Sequence, residues 1–132
     1  MSKRVFVSYN FREDASLARN IGVLFQPRGR CNGTPVFVER DVSAQGEAVV
    51  DREIRRVMEP CVAAVFVVGD SVHNSPWINR EAQLAKSMGL GIVAVRAPNT
   101  RGNVPNELRE DGIPVVEWDR DGFCDALNRV LG

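Results

Sequence analysis

The sequence is short of the residues on which much enzyme chemistry is built. Its 132 residues include one histidine, His73, so a histidine cluster for catalytic zinc cannot form, and no HExxH occurs. The three cysteines, Cys31, Cys61 and Cys124, are odd in number and widely scattered. They suggest neither a CxxC metal site nor a disulfide framework, and the expectation is no bound metal and no disulfide. Charge of one sign is not in excess. Lys+Arg is 17, Asp+Glu is 17 and the formal net charge is zero, which advertises neither nucleic acid nor an anionic membrane as a partner. The longest apolar run, residues 61–68, is far too short to span a bilayer. The opening Met1-Ser2-Lys3-Arg4 leads straight into Val5-Phe6-Val7 and lacks the apolar segment and cleavage site of a signal peptide. No GxGxxG follows a strand and no GxxxxGK[ST] is present, which removes the usual dinucleotide grip and the P-loop. Residues 1–132 are expected to form one soluble, reduced, cytoplasmic domain.

What is present is globular in balance, with 44% hydrophobic and 26% charged residues. Strand-like and helix-like stretches alternate. Short β-rich runs occur at residues 4–8 and 35–39, and residues 61–69 are apolar at almost every position, as in a strand covered on both faces. Residues 91–96 and 113–118 supply two further strands. Between them, Leu17, Ile21 and Leu24, widened by Ala18 and Phe25, mark an amphipathic helix over 14–25 that ends at Pro27 and Gly29. Val50, Ile54, Val57 and Met58 mark a second, stopped by Pro60. Ser75-Pro76 is an N-cap followed by proline at the first helical position, opening a third helix that Gly89 closes. A short helix could open at Pro105. The last helix buries Phe123, Leu127, Val130 and Leu131, with the aspartates flanking Arg120 as its cap.

Five strands alternating with helices imply an α/β fold: a flavodoxin-like three-layer sandwich around a five-stranded parallel sheet of order 2-1-3-4-5. Ligands of such sheets sit beyond the carboxyl ends of the strands, at the switch point beside strands one and three. That directs attention to Ser8-Tyr9-Asn10, to Gly69-Asp70-Ser71 and to the loop after Glu39. A phospho-receiver domain shares the fold but needs acids after strand one and a lysine after strand five. Asp70 fits its central aspartate, whereas strand one ends in Ser8-Tyr9-Asn10 and strand five in Trp118-Asp119.

Glu81 does not suit its helix face. Its neighbours at i±3 and i±4 are Trp77, Ile78, Leu84 and Ala85, all apolar, and Met88 extends the stripe. A carboxylate so placed must reach solvent, find a tertiary partner or carry a raised pKa. Its position near the start of the third helix puts it at the rim of the expected cleft.

These residues together resemble a known family. The opening Arg4-Val5-Phe6-Val7-Ser8-Tyr9 is similar to the first strand of TIR (Toll/interleukin receptor) domains, and Trp77-Ile78-Asn79-Arg80-Glu81 is similar to their W-x-x-x-E motif. Val67-Val68-Gly69-Asp70-Ser71 is similar too. The resemblance covers most of the chain in element order and is closest to the bacterial and archaeal branch, including the NAD-processing TIR proteins of Thoeris antiphage defence. It implies an enzyme that cleaves the nicotinamide–ribose bond of NAD+, as a nucleosidase or an ADP-ribosyl cyclase, with Glu81 catalytic. NAD+ would be substrate, with no separate cofactor and no metal. It also implies self-association through the loop from Arg40 to Val50 and a downstream effector that senses the product. That loop reads Arg40-Asp41-Val42-Ser43-Ala44-Gln45-Gly46, without the Arg-Asp-x-x-Pro-Gly pattern of animal signalling TIRs.

The remaining candidates are substrate-binding residues. Ser8, Tyr9 and Asn10 offer hydroxyl and amide groups for ribose or amide recognition, or else simply form the turn after strand one. Asp70 and Ser71 flank the switch point. Arg40 could pair with a pyrophosphate or stay solvated, and Trp77 could stack on a ring or pack in the core. His73 reads as a surface loop residue. Two other functions fit the same residues: a non-catalytic TIR-like assembly module, and an N-ribosyl hydrolase or transferase acting on nucleosides.

Overall fold

A computed structural model describes residues 3–9, 17–25, 31–37, 47–70 and 75–132. Five parallel strands, β1 (Lys3–Ser8), β2 (Gly33–Val36), β3 (Ala63–Val68), β4 (Gly91–Arg96) and β5 (Val115–Val116), form one sheet in the order β2-β1-β3-β4-β5. Among the described residues, four helices connect or follow them: α1 (Leu17–Leu24), α2 (Glu47–Met58), α3 (Pro76–Ser87) and α4 (Arg120–Leu131). A 3₁₀ turn over Asn106–Leu108 opens after Pro105. Fold class and strand order are those expected from the sequence.

Successive side chains of a strand point to opposite faces, and this divides the core in two. Val5 and Val7 of β1 and Ala63, Val65 and Val67 of β3 join Ile21 and Leu24 of α1 and Phe123, Leu127 and Leu131 of α4. Phe6 of β1 and Ala64 and Phe66 of β3 face the other way, onto Ile54 and Met58 of α2 and Ile78, Ala82, Leu84 and Ala85 of α3. Every residue of β3 is buried because β1 and β4 flank it and helices cover both faces.

Local chemistry sets the helix ends. Ser75 accepts the Ile78 amide N–H at 3.3 Å, Pro76 opens α3, and Gly89 takes the left-handed conformation (φ +72°) just past its end. Asp119 caps α4 by accepting the Gly122 N–H at 2.8 Å.

Two strands differ from the sequence reading. β2 begins at Gly33, before the expected start, and tolerates Pro35 because it is an edge strand. Residues 38–39, assigned to the same strand, lie outside the described residues. β5 keeps only Val115–Val116 of the expected 113–118. Pro114 has no N–H to give, although its carbonyl accepts from Ala94. After Val116 the chain turns at Glu117–Asp119 to enter α4.

The expectation of no disulfide is overturned. Cys31, just before β2, is bonded to Cys124 in the first turns of α4, with Cα atoms 4.9 Å apart across a sequence separation of 93. Spacing along the chain carried no hint of this. The sheet order puts β2 beneath α4, so closely that a Cβ on Gly33 would approach Leu127 at 3.3 Å. Cys61 stays a free, buried thiol, and burial pushes its pKa up to about 11.

Candidate active site

Strand periodicity determines where Ser8 points. It lies two residues after Phe6, on the face covered by α2 and α3, at the carboxyl end of β1. Helix periodicity places Glu81 on the buried stripe of α3 with Ile78, Ala82, Leu84 and Ala85. The two meet: Ser8 Oγ donates to Glu81 Oε1 at 3.0 Å. Ser8 is 2% exposed and Glu81 3%, and among the described residues they are the buried polar pair of the core. Burial raises the Glu81 carboxyl from its ordinary 4.5 to about 8, against the Ser8 hydrogen bond, which favours the ionised form. Glu81 is thus inside the fold rather than at an open rim.

Tyr9 parts company with Ser8. One residue further on, it turns to the opposite face and packs against the core formed with α1 and α4, its ring edge-on to Phe37 at 6.1 Å. Burial raises its phenol pKa, and the negative charge of Glu81 adds to the effect. Trp77 is half-buried and packs against the core under α2 and α3. Asp70 is exposed and its Oδ1 accepts the backbone N–H of Arg101 at 3.0 Å. Asn10, Arg40, Ser71 and His73 lie outside the described residues, as does residues 40–46 of the loop from Arg40 to Val50.

Two features escaped sequence reasoning. Asp51, which sits among arginines on α2, is instead bridged by Arg80 of α3. Arg80 Nε donates to Oδ1 at 2.9 Å and Nη2 to Oδ2, and this holds the Asp51 carboxyl below its usual range. Arg80 therefore turns away from its neighbour Glu81, which keeps no cation among the described residues. The second feature is a braced rim at the carboxyl ends of β3 and β4. Thr100 Oγ1 donates to Ala97 O at 2.7 Å and reaches Val68 O at 3.2 Å. Arg96 Nη1 donates to Gly102 O at 2.6 Å. Gly102 lies against the backbone of Gly69, where an added Cβ would come within 1.8 Å of the Gly69 carbonyl oxygen. Gly102→Ala is expected to cost roughly 2 kcal/mol or more, read as a lower urea midpoint, because two backbones and no flexible side chain would have to move.

The family model described as "Thoeris protein ThsB, TIR-like domain" matches residues 6–102, from within β1 to this rim. The chain belongs to that family. Both Ser8 and Glu81 of this TIR-like domain fall inside the match. Among solved structures, the crystal structure of the SEFIR domain of interleukin-17 receptor B superposes with a TM-score of 0.55 at 14% identity. The alignment covers 98% of this chain and 95% of that one. That likeness is one of fold. No curated protein sequence matches. Among the described residues of this TIR-like domain, no group of three His, Cys, Asp or Glu is arranged to hold a metal ion. No helix among them is long and apolar enough to cross a membrane.

Proposed function

We propose that this TIR-like domain cleaves the nicotinamide–ribose bond of NAD+ in antiphage defence, with Glu81 as the catalytic carboxylate. The observation that carries this reading is a buried acid at the carboxyl end of the sheet, with one hydrogen bond and no neutralising cation among the described residues. As the C–N bond breaks, its electron pair leaves with nicotinamide, which departs neutral, and positive charge develops at the ribose carbon. A fixed carboxylate beside that carbon stabilises the charge. The leaving group is already cationic in the substrate, so no acid is needed to protonate it, and one carboxylate suffices. Water adding to the ribose carbon and losing a proton gives ADP-ribose. An internal nucleophile of the same molecule gives a cyclic product, for a separate effector to sense.

The raised pKa fits this chemistry. At neutral pH the resting carboxyl is largely protonated. A bound pyridinium cation favours the ionised form, so substrate binding and proton release are coupled. At 3% exposure, Glu81 meets NAD+ only once the side chains covering it are displaced. Asn10, Arg40, Asp70, Ser71, Tyr9 and Trp77 stand as the proposed substrate-contacting set, with Arg40 toward the pyrophosphate.

A second reading, a non-catalytic assembly module, draws on the same burial: the Ser8–Glu81 bond would be a strut tying α3 to β1. Incubation with NAD+ and measurement of released nicotinamide, over pH 6–9 and a wide range of protein concentration, separates the two. Release by the wild type and not by Glu81→Gln supports the enzyme, and release by neither leaves the module. Self-association through residues 40–50 belongs to both readings. Val49, in the first turn of α2, is 41% exposed and would contribute apolar area. A concentration-dependent mass in light scattering is expected, and a monomer at high concentration with full activity would overturn it.

A further inference from the structure

Ser8 has a single side-chain oxygen, and its proton is committed. The hydroxyl sits at the end of β1, buried, and donates to Oε1 of Glu81 at 3.0 Å. Among the described residues no second donor reaches the Glu81 carboxyl. A hydroxyl engaged in this way gives its proton to Glu81 and keeps only lone pairs, as an acceptor, for the ribose contact the sequence offered it.

We propose that Ser8 is the positioning residue of Glu81: anchored on a central strand, it holds Oε1 and leaves Oε2 as the oxygen presented to the reacting centre. The identity of that centre as a ribose carbon rests on the NAD+ reading above; the hold of Ser8 on Glu81 does not. A carboxyl on a side chain with three rotatable bonds has several rotamers, and one directed bond from a strand selects among them. The elements packed around the pair supply little competition. Phe66 and Val68 of β3 are apolar, and Arg80 is bound to Asp51 and Gln83; Tyr9 packs toward the other face of the sheet, although the charge of Glu81 still reaches its phenol and raises that pKa. Among the described residues, burial and Ser8 are what set the protonation of this carboxyl.

The test is a carbon-13 NMR titration of the Glu81 side-chain carboxyl in the wild type, Ser8→Ala and Ser8→Thr, with nicotinamide release measured on the same proteins. Losing a bond that favours the ionised form should raise the titration midpoint in Ser8→Ala by about one pH unit, and Ser8→Thr should restore it. The acidic limb of the kcat/KM profile should move by the same amount. kcat should fall about tenfold with KM nearly constant, because orientation and not binding is lost. An unchanged midpoint in Ser8→Ala overturns the proposal whether or not NAD+ is turned over. So does a shifted midpoint with unaltered kcat in an active protein. A raised midpoint in a protein whose wild type releases no nicotinamide upholds the hold of Ser8 on Glu81 and sinks the NAD+ reading instead. Should Ser8→Ala fail to fold, Ser8→Cys, a weaker donor of similar shape, is expected to give a smaller upward shift, and no shift there overturns the proposal equally.

Discussion

Glu81→Gln is expected to lower nicotinamide release by about a hundredfold or more while leaving the fold intact and, in alkaline solution, more stable. The substitution keeps size and hydrogen-bonding capacity and deletes the charge, so Ser8 retains an acceptor. The stability effect follows from linkage. The Glu81 carboxyl titrates near 8 in the folded chain against an ordinary 4.5. Between those values the native state binds more protons than the unfolded state, so wild-type stability falls as pH rises through that window and levels off above it. Glutamine carries no such proton. The variant should melt close to the wild type near pH 4.5 and hold an advantage of roughly 2 kcal/mol or more at pH 9, given that one pKa unit corresponds to about 1.4 kcal/mol. Thermal melts across pH and turnover on the same samples read both quantities. Retained turnover removes Glu81 from the chemistry. A stability gap that does not change with pH would mean that Glu81 is not a buried neutral acid. Glu53, paired with Arg56 on the exposed side of α2, is the control: its replacement should change turnover not at all and stability by well under 1 kcal/mol.

Reduction of the Cys31–Cys124 bond, which lies within the core beneath α1 and α4, is expected to produce a large loss of stability. The bond closes a loop with a sequence separation of 93, from the edge of the sheet to the last helix. Chain-entropy bookkeeping for a loop of that size gives about 4–5 kcal/mol, as an upper figure. Part is offset locally. The Leu24 carbonyl at the end of α1 lies 3.7 Å from Cys31 Sγ and 3.3 Å from Cys124 Sγ. A disulfide sulfur has no proton to donate, whereas each freed thiol would find this carbonyl as an acceptor. A net loss of about 3 kcal/mol, or roughly 10 °C in Tm for a chain of this size, is expected on adding a phosphine reductant. The double variant Cys31→Ser/Cys124→Ser should reproduce it and be insensitive to the reductant. The bond lies before β2 and early in α4, away from the carboxyl ends of the strands where Ser8 and Glu81 meet, so turnover well below the melting point should be unchanged. Equal melting temperatures with and without reductant would show that the bond adds nothing.

Much of this architecture was legible in the residues alone, for a reason that applies to each part. The uninterrupted apolar run of β3 called for cover on both faces, and it received β1, β4 and helices on either side. Ser75-Pro76 and Gly89 bounded α3 because capping chemistry is local. Glu81 stood out because i±3 and i±4 neighbours are determined by helix geometry whatever the rest of the chain does, and its burial and raised pKa follow from that. Only the tertiary structure decided what lies across from each such residue. The partner of Glu81 is 73 positions earlier in the chain, that of Asp51 is 29 positions later, and that of Cys31 is 93 positions later. Ser8 and Tyr9, read together from the sequence, part to opposite faces of the sheet because a strand alternates. Periodicity in the sequence says which face of its own element a side chain occupies. Which residue waits on the facing element depends on the order of the strands and on the register of each helix over them, and long-range packing of the whole chain sets both.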